Sequence, residues 1–583
     1  MDEQTTENRS STLQWPDYLV LGIVLSISAS IGIYYRFTGG RQKTAEEYFS
    51  ADRSMKIVPL AIALMVSFMS AITLLGISAE AYTYGTMFIV VYIGFGVGTP
   101  ITMYLYLPVF FELKIMSVFE YLERRFGVKA RLLASIANFF HLTLYTGIVL
   151  YAPSLALEAT TGLSCTMSII LIGVICTFYS TIGGIKAVLI TDVFQGVLMF
   201  LSVFCIIAIG AGDLPNGLTD VWNRASKGGR IDFTAVSMDL TTRHTWWGLL
   251  AGGTCMFLSL FAVNQVQVQR LLTVKSLRDS RIALLLNLPI MLALAGTTIF
   301  SGLVIYAVYE DCDPVKSGRI SSVDKLMPLF AAERLSRVPG LTGLFVAGVF
   351  SASLSTISAM LNSLAAVALE DYIKPIYSKI GATFPEDKAT LLGKGLAISN
   401  GLSCIFLALG AGRLGTLIEA AVGLVGMIGG PLLGIFTLGM FFESANEIGA
   451  VIGMTIALIL DFCMAMGPKE DGIFLPTSID GCVNATLLMQ NETIGFNSTV
   501  NNESTVPYLN RISYIWYPAI GFTTTITAGY LISLIAQKFI KDTREPDPKL
   551  FTPFVAARIR RRRQDAQRVT SSQMFVLEPS YRK

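Results

Sequence analysis

The chain has 583 residues, 53% hydrophobic and 15% charged, with a mean hydropathy of +0.59. A soluble domain carries roughly a quarter charged residues, so this composition excludes a soluble globular protein and predicts an integral membrane protein. The net charge of +3, from 44 basic and 41 acidic residues, gives no ground for a nucleic-acid partner.

The N-terminal stretch 1–15 is polar and acidic. It lacks a basic n-region and reads as an extracellular tail, not a cleavable signal peptide. Apolar segments of about 20 residues then recur, each able to cross a hydrocarbon core of about 30 Å as a helix. About thirteen are expected within a transmembrane domain covering 16–540. They lie near 16–36, 57–80, 86–111, 131–155, 164–183, 187–210, 244–269, 282–309, 341–367, 389–411, 414–441, 447–466 and 512–536.

Basic residues set the expected orientation. Arg36, Arg41, Lys43, Arg53 and Lys56 follow the first segment; Arg124, Arg125, Lys129 and Arg131 follow the third. Arg270, Lys275, Arg278 and Arg281 follow the seventh, and Arg558 with Arg560, Arg561, Arg562 and Arg563 follow the last. Thirteen spans bring all four clusters to one side, the cytoplasmic side by the positive-inside rule. The opposite side then holds the loop 467–511 with N-x-[ST] sequons at Asn484, Asn491, Asn497 and Asn502, which are glycosylated only on the lumenal face. Both signals predict a multi-pass plasma-membrane protein with its N-terminus outside and C-terminus inside. Most of the eight cysteines fall in or beside apolar segments as small hydrophobes. Cys312 and Cys482 fall in expected extracellular loops, where they can be bonded to each other or free. The basic tail 541–583 contains ARIRRRRQDAQR and is expected to meet anionic headgroups.

Enzyme chemistry finds little support. There is no CxxC, HExxH, GxSxG or P-loop, and two histidines, His141 and His244, cannot build a histidine-rich metal site. Each histidine reads as a boundary residue with a satisfied ring. Isolated hydroxyls such as Ser202 and Ser259 read as bonded to their own helices. The run FSASLSTISAMLN (350–362) is denser. Ser351, Ser355, Ser358 and Asn362 form one helical stripe, with Thr356 at its edge. It is either a polar seam between helices or a set of oxygen ligands for a weakly held cation such as sodium. Ser67, Ser70 and Thr73 lie about one turn apart in a second segment, where Gly76 hints at a broken helix.

These residues carry a family resemblance. FMSAITLLGISAEAYTYG (68–85), LPVFFELKIMSVFEYLERRFG (107–127), YTGIVLYAPSLALEATTGL (145–163), CTFYSTIGGIKAVLITDVFQ (176–195), AVNQVQVQR (262–270) and SLSTISAMLNSLAAVALEDYIKP (353–375) match in order and spacing. The chain resembles the sodium/solute symporter family, in the branch of monocarboxylate, multivitamin and iodide transporters. Its Y-[STA]-x-x-G-G motif stands at 179–184, followed by Ile185 where Leu, Met or Phe is usual. The resemblance implies an all-α, leucine-transporter-type core of two inverted five-helix repeats, about 57–210 and 244–441. It implies sodium as the coupling ion, no organic cofactor, and a small solute moved by alternating access.

Carried over by motif, the sodium site takes backbone carbonyls from Val66, Met69 and Ala352 and hydroxyls from Ser355 and Thr356. A further sodium position matches Ser70, Thr73 and Tyr145. The solute cavity matches Phe68, Thr73, Tyr92, Phe95, Tyr145, Phe257 and Glu419. Thr73 disfavours iodide, whose transporters carry glutamine there, and fits the monocarboxylate members. Glu419 departs from an uncharged position. It would repel an ionised monocarboxylate, attract a cationic solute, or pair with Arg413, so vitamin-like, inorganic-anion and cationic solutes stay open, as does a non-transporting sensor. Asp192 and Lys186 are candidates for an inner gate or a further sodium path, or for helix capping and headgroup anchoring.

Overall fold

A hydrocarbon solvent leaves backbone N–H and C=O groups no partner but each other, so the apolar segments fold as helices. The computed structural model describes residues 13–38, 53–382, 384–385, 388–413, 415–467, 474–482, 506–539 and 547–576. The four sequon asparagines lie outside them, as do the side chains of Lys186 and Arg413.

The principal helices are α1 (Trp15–Thr38), α2 (Ile57–Phe68), α3 (Ala71–Tyr84), α4 (Thr86–Leu113), α5 (Val118–Arg125), α6 (Val128–Thr161), α7 (Cys165–Gly212) and α8 (Leu218–Lys227). They continue with α9 (Trp246–Phe261), α10 (Gln265–Leu271), α11 (Leu277–Val308), α12 (Leu326–Arg334), α13 (Leu341–Lys379) and α14 (Ala389–Ala408). The last are α15 (Leu417–Phe441), α16 (Glu447–Met466), α17 (Tyr514–Phe539) and α18 (Pro553–Val576). Among the described residues, nine helices are long and apolar enough to span, or eleven with α2/α3 and α9/α10 each taken as one bent span. Two shorter apolar stretches, Trp15–Ser28 and Cys165–Thr181, fall at the first and fifth expected positions. Helix starts are set by side-chain caps: Thr245, Ser276, Thr416 and Asn446 each accept a bond from a first-turn N–H of α9, α11, α15 and α16.

The fifth and sixth expected spans share one helical run, α7. In a straight helix Tyr179 and Thr191 would stand about 18 Å apart along the axis. Their hydroxyls are hydrogen-bonded, so the run folds back on itself between these two residues.

α13 and α15 form the centre, each 94% buried over its most apolar window. Small residues allow this. A Cβ on Gly348 of α13 would stand 2.5 Å from Ser202 of α7, and one on Gly453 of α16 would stand 2.6 Å from Gly529 of α17. The isolated hydroxyls bond within their own helices, Ser202 to Met199 and Ser259 to Met256, both at 2.8 Å.

Polar links close both ends. At one end Cys312 and Cys482 are bonded, joining loops 170 residues apart. Asp313 N–H donates to Ser478 C=O (2.9 Å) beside that bond. The Arg230 guanidinium donates to Pro476 C=O (2.7 Å) and lies 3.8 Å over the Tyr306 ring. At the basic end, Arg131, counted above as a loop charge, donates to Asp371 of α13 (2.8 Å), which also accepts from Ser117 (2.7 Å). The start of the basic tail packs on protein: Phe551, Val555 and Ile559 are buried, Thr552 N–H donates to Met440 C=O (3.1 Å), and Arg562 pairs with Glu443 (2.9 Å).

Cross-linking so long a loop restricts the unfolded chain, by about 2–4 kcal/mol for typical disulfides. Cys312→Ser is expected to lower the melting temperature of the detergent-purified protein by several degrees. Cys482→Ser should reproduce the loss and the double variant should add little; additive losses would show independent roles.

Candidate functional site

The bent pair α2/α3 turns by 60° at Met69 and Ser70. Two local effects interrupt it. The Ser70 hydroxyl accepts from Ile72 N–H (3.1 Å) and starts α3, while Met69 N–H closes α2 on Met65 C=O. The carbonyls of residues 66–69 are then left without backbone N–H partners, at the negative end of the α2 dipole. Gly76, the expected hint of a break, lies inside α3. A Cβ there would stand 2.7 Å from the Ile418 side chain, so it serves packing.

α7 brings this break to α13. Asp192 and Gly196 are four residues apart on one α7 face. Asp192 accepts from the Ser355 hydroxyl (2.5 Å), and Gly196 lies against Val66, where a Cβ would be 2.9 Å from Val66 Cγ2. Thr356 donates to Ala352 C=O (3.1 Å), which leaves its oxygen lone pairs free. Ser70 meets the Tyr145 hydroxyl on α6. Val66, Met69, Ala352, Ser355 and Thr356 thus belong to one junction of α2, α7 and α13, with Ser70 and Tyr145 at its edge. Gln195, fully buried on the same α7 turn, has neither amide atom partnered. Sequence reasoning passed over it because a lone glutamine carries no pattern.

Asp192 is completely buried and is balanced by Arg270 (2.6 Å), which also donates to Ala63 C=O (3.0 Å). Arg270 was counted above with the loop charges. The second bent pair, α9/α10 at 64°, turns it inward. Asn264 caps α10 through Val266 N–H (2.9 Å), so the chain re-enters a helix whose last turn carries Arg270 into the core.

Beside this junction lies a cavity of about 40 Å³, lined by Phe68, Thr73, Tyr92, Phe95, Tyr145 and apolar residues of α3, α9 and α15. It has room for a few waters, so the walls are nearly closed upon each other. Phe68 packs edge-on to Phe95 (5.8 Å), and the Tyr92 hydroxyl reaches the Met69 sulfur (3.9 Å). Phe257 stands one layer back, 5.4 Å behind Phe95, and does not line the cavity.

Glu419 is not a lining residue either, although Ile418, Ala421 and Val422 of the same helix are. Its carboxylate lies 3.5 Å from Arg243, whose guanidinium pairs more closely with Glu80 (2.7 and 3.1 Å) and sits over the rings of Tyr84 (4.1 Å) and Tyr514 (4.9 Å). This cluster links α3 to α15, two of the helices that line the cavity. It escaped the sequence because its members come from four elements with no shared motif. His244 bonds Tyr514 (3.1 Å) and is satisfied as expected. His141 is not: it is buried mid-helix and neither ring nitrogen has a partner.

Comparison with known proteins shows the family and the fold. Residues 48–457 match the sodium:solute symporter family. A Drosophila melanogaster protein named as a candidate sodium-dependent multivitamin transporter is 47% identical, over 96% of this chain and 95% of its own. Sodium-coupled monocarboxylate transporter 1 of Xenopus laevis is 39% identical, over 91% and 87%. Among solved structures, a substrate-bound, outward-open sodium-coupled sialic acid symporter superposes with a TM-score of 0.72 at 23% identity, covering 90% of this chain and 98% of its own. That likeness concerns the fold, which is of the leucine-transporter type.

Removing one partner of a buried ion pair strands the other charge, at about 3–5 kcal/mol. Arg270→Ala is therefore expected to lower the melting temperature sharply, and Asp192→Asn in the same chain to restore most of it. A double variant no more stable than Arg270→Ala would deny the pairing.

Proposed function

Because the chain belongs to the sodium:solute symporter family, we propose that the solute it carries with sodium is a small monocarboxylate-type anion, imported by alternating access. Sodium-coupled symport follows from membership; the solute, the sites and the topology are our reading. The two inverted repeats cover about 57–210 and 244–441. They are supported by the bends of 60° and 64°, each in the first span of its repeat. The same reading takes thirteen spans, an outside N-terminus and a cytoplasmic C-terminus, in agreement with the distribution of basic residues along the chain and the sequons.

One observation carries the sodium site: unpaired carbonyls at the α2 break stand against Ser355 and Thr356 across one face of α7. Sodium takes neutral oxygens, as other hard cations do. Val66, Met69 and Ala352 supply carbonyls and Ser355 and Thr356 hydroxyls. The Gln195 amide oxygen, unpartnered on the same α7 turn as Asp192, is a further candidate ligand. Ser70, Thr73 and Tyr145 form the second position, with Asp192 coupling the first to the inner gate. Sodium bound from outside ties the broken span to α13 and completes the cavity; loss of sodium inward releases it. Coupling of this kind requires different affinities in the two states.

The solute assignment rests on the cavity walls. Phe68, Tyr92 and Phe95, backed by Phe257, suit an apolar body, while Thr73 and Tyr145 offer hydroxyls to a carboxylate. No acidic residue lines the space, and Glu419 is held by Arg243. The objection that Glu419 would repel an anion, or select a cation, therefore loses its force. Two sodium positions imply a 2:1 electrogenic cycle. Each sodium gains about 1.4 kcal/mol from a potential of roughly −60 mV, and a tenfold sodium gradient adds about as much.

Uptake of L-lactate, short-chain acids, biotin, pantothenate, iodide and small cations, in sodium against choline medium, tests this reading. A carboxylate is expected to enter only with sodium and to evoke inward current. Ser355→Ala with Thr356→Ala should abolish that uptake at unchanged surface expression; retained uptake would refute the site. Glu419→Gln should change the rate and leave the ranking of solutes unaltered, whereas a switch toward cations would return Glu419 to the cavity.

A further inference from the structure

Beyond Phe68 and Tyr145, toward the end that bears the basic loops, lies a separate space of about 30 Å³. Those two side chains and Val425 face both cavities and stand between them. The polar lining of the second comes from Ser67, His141, Asn264 and Gln267.

His141 is the unusual member. It lies one turn before Tyr145 on α6, with ring centroids 6.2 Å apart, and is 2% exposed. Neither ring nitrogen is bonded to the protein. A neutral imidazole always carries one N–H, and a donor buried without a partner is destabilising. The other polar groups also turn donors toward the space. Asn264 has its oxygen engaged by Val266 N–H, which leaves its NH₂ to offer. Gln267 uses one amide hydrogen on Ser67 (3.1 Å) and keeps the second. No acidic side chain lines the cavity. A sodium ion would need free oxygens, and those of Ser67 and Gln267 face each other, that of Asn264 faces Val266 N–H and that of Tyr145 faces Ser70; the groups left over are N–H donors, which a carboxylate needs.

We propose that this cavity is a second solute subsite, binding the carboxylate through His141, Asn264 and Gln267 after the solute has passed Phe68 and Tyr145 on its way to the cytoplasm. The inference rests on the carboxylate reading above. The outer cavity selects the solute, and the inner one lowers the step to release. Its affinity matters when solute approaches from the cytoplasmic side and little when it approaches from outside.

The test is a comparison of KM for influx and efflux of L-lactate in oocytes bathed in it or injected with it. His141→Leu, which removes the donor at similar volume, should raise the efflux KM at least fivefold and hold the influx KM within twofold. His141→Gln keeps a donor and should retain both values. Gln267→Leu should shift efflux in the same direction, and it decides the matter if His141→Leu fails to reach the surface. Equal shifts in both directions, or none, would overturn the subsite while leaving sodium-coupled carboxylate import intact. Absence of sodium-dependent lactate flux in the unaltered protein would overturn both readings.

Discussion

A helix interrupted inside a bilayer leaves carbonyl oxygens that no water can reach, and the rest of this molecule is arranged around that constraint. At Met69 and Ser70 the chain turns by 60° between two half-helices. The exposed oxygens are tolerable only beneath a close cover of protein. α13 supplies the cover: a helix of alanine, glycine and serine that can approach without bulk and offers hydroxyls of its own. The same junction that satisfies a structural demand has the donor set of an alkali-ion site, so folding and ion coupling draw on one feature.

The second interruption, between α9 and α10, extends the logic. It turns Arg270 inward onto Asp192, and Asp192 onto Ser355. A fully buried carboxylate is thereby tied to the candidate ion site on one side and to the half-helix α10 on the other. A change at Ser355 alters the balance of charge around Asp192, and with it the hold on α10. This chain of contacts gives alternating access a physical link between ion binding and the basic end.

Each end of the molecule carries its own polar clasp. Above the cavity Arg243 joins Glu80 on α3 to Glu419 on α15; below, Arg131 and Ser117 hold Asp371 on α13. The Arg243 side chain is 20% exposed, but its partner Glu80 is buried at 2%, so parting this clasp leaves a buried carboxylate to be compensated.

The sequence by itself determined the class of this protein. Apolar runs of bilayer length located the spans, because hydrocarbon imposes length and composition on any segment that crosses it. Dense hydroxyls at 351–358 also stood out on physical grounds, since polar groups are unfavourable there without a purpose. Tertiary structure decided how charges and single polar residues are used. Arg270 and Arg131 read as loop charges but pair with buried carboxylates, Glu419 read as a cavity candidate or a paired carboxylate and lies beside Arg243, and His141 read as satisfied but has no partner on either ring nitrogen. The reason is common to all four: the partner or opening a side chain meets lies on another helix, and hydropathy and spacing report only along the chain.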